Sequence, residues 1–227
     1  MISSKTVGRL SLYRRLLLSL KAQGMDSVYS HQLASMGGSS AAQVRRDVMA
    51  TGYSGSPVKG YDINELVRCI GEVIDDPKGQ KAALIGVGHL GRAVLNYFAG
   101  RRPKLQIRAA FDSDPHKTGR VLHGYHTYPV TELAHVVSTE EITVGILCVP
   151  QEAAQTVADE LVSAGCRGIL NFAPVPLHVP PGVFVEDIDI TMSLEKVAYY
   201  ARQSAKDTAP KPTKKPSRKS HKEKALS

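Results

Sequence analysis

Three glycines at the spacing Gly86-x-Gly88-x-x-Gly91, with Asp112 at the distance of a ribose-binding acid, are the residues best placed for chemistry in this 227-residue chain. That chemistry is the holding of a dinucleotide. Gly86 permits a tight turn, Gly88 lets backbone N–H groups approach a pyrophosphate, and Gly91 lets a helix pack close to the preceding strand. The helix N-terminus adds partial positive charge facing the phosphates. Spacing alone says little. Here an apolar run at residues 82–85 precedes the glycines, and Leu90, Ala93, Val94, Tyr97 and Phe98 follow in a helical pattern. Asp112 would accept hydrogen bonds from both adenine-ribose hydroxyls and repel a 2′-phosphate, and Asp114 adds to that repulsion. NAD(H) is therefore expected in preference to NADP(H), with Lys117 the one residue nearby that softens the discrimination.

A second group lies upstream. Ser30 suits an N-cap for a short helix over 31–36, Gly37 and Gly38 break it, and Ser40 caps a helix over 41–50. Helix, glycine turn and capped helix with arginines is the helix-turn-helix pattern. Gln43, Arg45 and Arg46 fall on or beside its exposed face, while Val44 and Val48 point inward. Residues 51–60, glycine-rich and containing Pro57 and Lys59, suit a short hairpin or wing. Ser40, Gln43, Arg45, Arg46 and Lys59 are thus the candidate DNA-binding residues.

The elements that must position these groups follow from periodicity. Leu10, Tyr13, Leu16, Leu17 and Leu20 share one helical stripe, and Ile63, Leu66, Val67, Ile70 and Val73 share another. Asp75-Asp76-Pro77-Lys78-Gly79 reads as a linker. Beyond it, strands are expected near 82–85, 107–111, 144–149, 168–171 and 183–185, with helices over 90–99, 152–164 and 194–201. Apolar strands alternating with helices imply a parallel sheet. The organisation expected is α/β: an N-terminal winged helix-turn-helix domain (1–79), a Rossmann-type parallel-sheet domain (80–205) and a disordered basic tail (206–227).

Charge supports that division. The net charge of +8 divides into +6 over residues 1–60, −3 over 61–80, −1 over 81–205 and +6 over 206–227. Basic ends beside a near-neutral middle suit a nucleic-acid-binding module joined to a nucleotide-binding one. The tail has too few apolar residues to bury a core. No apolar run approaches the ~18 residues of a membrane span, and the N-terminus has no signal-peptide pattern. Cys69, Cys148 and Cys166 are odd in number and widely spaced, which suggests buried thiols in a reducing cytoplasm and no metal site.

Taken together, these motifs resemble the redox-sensing repressor family called Rex, from about Leu10 to Tyr200. Ser40-Ala41-Ala42-Gln43-Val44-Arg45-Arg46-Asp47-Val48 is similar to the family's recognition helix. Gly60-Tyr61-Asp62-Ile63 resembles its segment after the wing, and Gly86-Val87-Gly88-His89-Leu90-Gly91-Arg92-Ala93 its glycine turn. Val149-Pro150-Gln151-Glu152-Ala153-Ala154 and Gly168-Ile169-Leu170-Asn171-Phe172-Ala173-Pro174 resemble two further segments. The chain departs from the family where Gln151 replaces an arginine, His89 an asparagine, and Thr51-Gly52 and Ser54-Gly55 two phenylalanine–glycine pairs of the wing. The resemblance implies an NADH-sensing repressor of an inverted-repeat operator, a homodimer with an exchanged C-terminal helix. It adds His89, Leu90, Arg92, Tyr97, Val149, Pro150, Asn171 and Asp189 to the cofactor-site candidates, with Arg15 as a partner of Asp189. Two other functions compete. An NAD-dependent oxidoreductase needs an acid–base pair beside the nicotinamide, and only the lone histidines His123, His126 and His135 offer themselves, so no catalytic residue is expected. A CoA- or nucleotide-binding regulatory protein would use the same fold.

Overall fold

The computed structural model describes residues 2–100 and 104–207. Residues through Asp187 form one compact unit, and the last helix belongs to a second. The chain opens with α1 (Ser4–Ala22), β1 (Ser27–Val28), α2 (Ser30–Gly37), α3 (Ala41–Met49), β2 (Tyr61–Asp62) and α4 (Ile63–Ile74). The stripe on α1 buries Leu10, Tyr13 and Leu17 against Leu33 of α2, Val44 and Val48 of α3, and Ile63, Leu66 and Ile70 of α4. Burying each leucine there contributes about 1.5–3 kcal/mol. β1 and β2 pair antiparallel and tie the start of α2 to the start of α4. The Arg14 guanidinium on α1 meets the carboxylate of Asp75, whose backbone N–H caps the far end of α4, at 2.7 Å.

The Ser40 cap was legible in the sequence, and those of α4 and α2 were not. The Ser40 hydroxyl accepts from the Gln43 N–H, and Asp62 accepts from the Glu65 N–H. At α2 the cap is Tyr29 and not Ser30: the Tyr29 N–H donates to Gln32 Oε1 at 2.8 Å. Ser30 starts one residue too late, and its hydroxyl accepts instead from Arg45. α2 ends at Gly38, whose φ of 62° is a left-handed conformation that glycine adopts without strain.

The remainder is β3 (Gln80–Ile85), α5 (His89–Phe98), β4 (Leu105–Asp112), β5 (Arg120–Leu122), β6 (Tyr125–Pro129), a short 3₁₀ turn leading into α6 (Leu133–Thr139), β7 (Val144–Leu147), α7 (Gln151–Ser163), β8 (Gly168–Asn171), β9 (Phe184–Asp187) and α8 (Ile190–Asp207). The strands form one sheet in the order β5-β6-β4-β3-β7-β8-β9. Successive residues of β3 face opposite sides, and those of β4 do so apart from a bulge at Arg108. Ala83, Ile85, Ala109 and Phe111 pack with α6 and α7, and Ala82, Leu84, Ile107 and Ala110 pack with α5. Both faces are covered, as a parallel sheet requires.

The sheet is not wholly parallel, however. β5 runs antiparallel to β6 at one edge. This hairpin and α6 carry no strong apolar period, so the sequence did not announce them. The helix expected over 194–201 is also longer, spanning α8. Of the tail expected from residue 206, Lys206 and Asp207 end α8, and the rest lies outside the described residues.

Candidate functional site

The glycine turn joins β3 to α5 at the carboxyl end of the sheet, where β3 lies between β4 and β7. Its glycines differ in what they do. Gly86 has φ 95°, and a Cβ there would meet the Cys148 carbonyl oxygen at 2.5 Å. A Cβ on Gly91 would overlap the carbonyl oxygen of Gly86. Both are closed in by backbone. Gly88 is the N-cap of α5, supplies no side chain to the first turn, and has open space where its Cβ would be. The first N–H groups of α5 therefore face a space that an anion can enter. That space is the mouth of a cleft of about 490 Å³, walled by Gly86, Gly88, Asp112, Lys117, Val149 and Pro150.

Asp112, only 7% exposed, is the polar centre of this cleft. Its Oδ2 accepts the Val87 N–H at 2.7 Å and its Oδ1 accepts the Asp114 N–H at 2.9 Å. The second lone pair of each oxygen faces the Lys117 side chain. The Lys117 ammonium lies 3.4 Å from both oxygens and 3.5 Å from Asp114. The His116 N–H and the Lys117 charge hold the Asp114 carboxyl below its ordinary range. The Cys148 thiol, on the same wall, is pushed up to about 12 by burial and stays protonated at neutral pH.

The structure brings together Gly86, Gly88, Asp112, Val149 and Pro150 of the expected cofactor residues. Sequence reasoning did not single out Cys148, Val130 and Ala153, which line the same cleft and are ordinary apolar strand-end and helix-start residues. Others stand apart from it. Gly91 is buried beneath the turn, His89 and Leu90 are exposed on the first turn of α5, and the Arg92 guanidinium donates to the Val87 carbonyl at 3.3 Å. Tyr97 is exposed near the end of α5, edge-on to Phe98. Asn171 is fully buried. Its amide donates to Val175 O and Asp187 Oδ1, both at 2.8 Å, and accepts the Ala173 N–H, so it braces the β8–β9 connection. Asp189 caps α8 by accepting the Met192 N–H at 2.7 Å.

On the other candidate surface, α3 presents Arg45 and Arg46 to solvent. Arg45 Nη1 donates to Ser30 Oγ at 3.3 Å, and Arg46 Nη2 donates to Gln43 Oε1 at 2.8 Å. The wing is a tight loop closed by reciprocal backbone bonds between Ser56 and Gly60, with Lys59 exposed at its tip. The Tyr29 hydroxyl donates to the Val58 carbonyl at 2.6 Å and straps this loop to the start of α2. A cleft of about 380 Å³ separates wing from helix, lined by Arg45, Met49, Tyr53 and Pro57 among others. Among the described residues, no group of His, Cys, Asp and Glu is arranged to hold a metal ion, and no helix is long and apolar enough to cross a membrane.

Comparison with known proteins covers both surfaces. A family model described as CoA binding domain matches residues 77–175, and one described as putative DNA-binding protein N-terminus matches residues 1–48. The redox-sensing transcriptional repressor Rex of Rhodopirellula baltica is 41% identical over 198 residues, covering 87% of this chain and 84% of that protein. Its counterpart from Lactobacillus gasseri is 37% identical over 199 residues, 88% of this chain and 93% of that one. The crystal structure of RSP in complex with β-NAD+ and operator DNA matches with a TM-score of 0.83 at 29% identity, covering 91% of this chain and 95% of that one. RSP in complex with β-NADH gives 0.80 at the same identity, covering 91% and 97%.

Proposed function

The chain belongs to the Rex family of redox-sensing transcriptional repressors, and from that premise we propose that it holds operator DNA as a homodimer and releases it when NADH binds. One observation carries this reading: a glycine turn open to an anion and a capped, arginine-bearing helix occur in one chain. The cleft residues fit a dinucleotide. Gly88 leaves room for a pyrophosphate at the α5 N-terminus, and the adenine ribose would take the Asp112 acceptor positions now held by Lys117. The cofactor, when bound, supplies the redox signal, its two forms differing by a hydride and a charge. Tyr97 and Arg15, and separately Asp189, are the candidates that the family resemblance offers for reading that difference, and Val149 and Pro150 line the cleft. Arg92 acts through the Val87 carbonyl and Asn171 through the β8–β9 connection, while His89 and Leu90 supply backbone N–H groups to the first turn of α5.

An inverted repeat needs two copies of α3 related by two-fold symmetry. α8 suits the dimer contact: Leu194, Val197, Tyr199 and Tyr200 are exposed along it, an apolar surface that a second copy would cover. Such a repressor works in the cytoplasm and needs no catalytic residue. The family description as a CoA binding domain favours one alternative, a CoA-responsive regulator. Fluorescence anisotropy on an inverted-repeat duplex decides between them. NADH should weaken binding, NAD+ should do so less, and CoA should have no effect. By linkage, the operator must weaken NADH binding by the same factor. NADH that leaves DNA affinity unchanged would sink the repressor reading, and NADH consumption with a common dehydrogenase substrate would favour an oxidoreductase.

A further inference from the structure

Asp47 lies on α3 yet faces inward, only 2% exposed. A carboxylate so placed needs partners, and it has four contacts. Arg9 of α1 donates from Nε to Oδ2 at 2.6 Å and from Nη2 to Oδ1 at 2.7 Å, a two-pronged pair. The Tyr13 hydroxyl donates to Oδ2 at 3.2 Å. Gln43 Nε2, one turn earlier on α3, donates to Oδ1 at 2.9 Å. The Gln43 Oε1 in turn accepts from Arg46 at 2.8 Å. The Arg9 guanidinium is itself steadied by Thr6, whose Oγ1 accepts from Nη2 at 3.2 Å.

The chemistry of this chain fixes which way the Gln43 amide points. A carboxylate only accepts, so the group facing Asp47 is the NH₂. A guanidinium only donates, so the group facing Arg46 is the oxygen. One amide N–H and one oxygen lone pair remain for a base edge, and a glutamine so presented matches adenine N7 and N6.

Resting on the DNA-reading role of α3, we infer that Arg9 and Asp47 are positioning residues for sequence recognition: they lock Gln43 and, through it, Arg46 in one orientation before DNA arrives. Neither needs to touch DNA. The stake is specificity and not affinity for phosphate. Replacing a buried ion pair by apolar residues of similar size is often neutral or stabilising, so Arg9→Met/Asp47→Leu can keep the fold while freeing Gln43.

The test uses the full chain, an inverted-repeat duplex that the parent enriches from a randomised pool, and a random duplex of equal length. Both affinities are measured over a range of salt, beside a thermal melt. The double variant should lose roughly tenfold of the operator-to-random ratio. Its affinity for the random duplex and its salt slope, which report phosphate contacts, should not change. A folded double variant with the parent's ratio would overturn the inference. If the double variant does not fold, Gln43→Leu carries the test. It is half-buried, leaves the Arg9–Asp47 pair intact, and should lose the same ratio; an unchanged ratio there overturns the inference equally. A parent with no operator preference would overturn the DNA-reading role itself, a separate outcome.

Discussion

Gly88→Ala separates binding from folding in a way that its neighbours cannot. The backbone at Gly88 has φ −77° and ψ −163°, extended values that alanine adopts, and its Cβ would meet nothing within 4 Å. The fold should therefore accept the methyl. Loss of chain freedom in the unfolded state should add about 0.4–1 kcal/mol of stability. For a chain of this size that is a rise in Tm of about 1–4 °C. The same methyl occupies the space through which a pyrophosphate reaches the N–H groups of α5. Each hydrogen bond lost to a charged group is worth about 1.5–3 kcal/mol. The loss of one such bond weakens NADH binding by about tenfold to a hundredfold. Gly91→Ala is the contrasting control, because its Cβ overlaps the Gly86 carbonyl oxygen and should lower stability and binding together. An NADH fluorescence titration beside a thermal melt reads both quantities. Parent-like NADH affinity in a folded Gly88→Ala variant would refute the placement of the pyrophosphate.

Asp112→Asn keeps the shape but leaves a single oxygen for the Val87 and Asp114 N–H groups, so urea denaturation should show a loss of about 1–3 kcal/mol, with weaker NADH binding. Parent-like values for both would contradict the bracing role. Burial alone would raise the Asp47 pKa, but the hydrogen bonds from Arg9, Gln43 and Tyr13 outweigh it and hold the carboxyl below its ordinary value. A lowered folded pKa means stability that is present above the unfolded value of about 4 and lost as pH falls through the folded one. Acid melts should show that loss in the parent but not in Asp47→Asn; parallel curves would deny it. Burial pushes the Cys148 thiol up to about 12 and Cys166 up to about 11, so iodoacetamide at neutral pH should label neither until the protein unfolds, as mass spectrometry would show. If α8 carries the proposed dimer contact, Leu194→Asp/Val197→Asp should give a monomer by sedimentation and weaken operator binding; an unchanged oligomeric state would place the contact elsewhere.

The framework was legible because its signals are local. The apolar stripe of α1, the Ser40 cap and the glycine turn each rest on residues within one or two turns of chain. What escaped depends on distant partners. Tyr29 displaces Ser30 as the cap of α2 while its hydroxyl reaches a wing 29 residues away. The pairing of β5 with β6 has only short, weakly patterned strands to announce it. Asn171 reads as a site residue, yet its amide is spent on Val175, Asp187 and Ala173. Asp47, in the middle of an exposed-looking helix, shows its role only once Arg9 of another helix stands beside it. Motif reading finds residue types at a spacing; it does not find which hydrogen bonds those residues have already made.

The strap from Tyr29 to the wing ends on a main-chain oxygen, that of Val58. Every amino acid carries such an oxygen, so the anchor persists whatever side chain stands at position 58. The side chain at position 58 can therefore change without loss of the strap, whereas Gly60, with φ 75° and a Cβ position 2.7 Å from the Val28 carbonyl oxygen, cannot. In evolutionary terms, the shape of this loop is inherited through Tyr29 and Gly60, and position 58 is left free to vary.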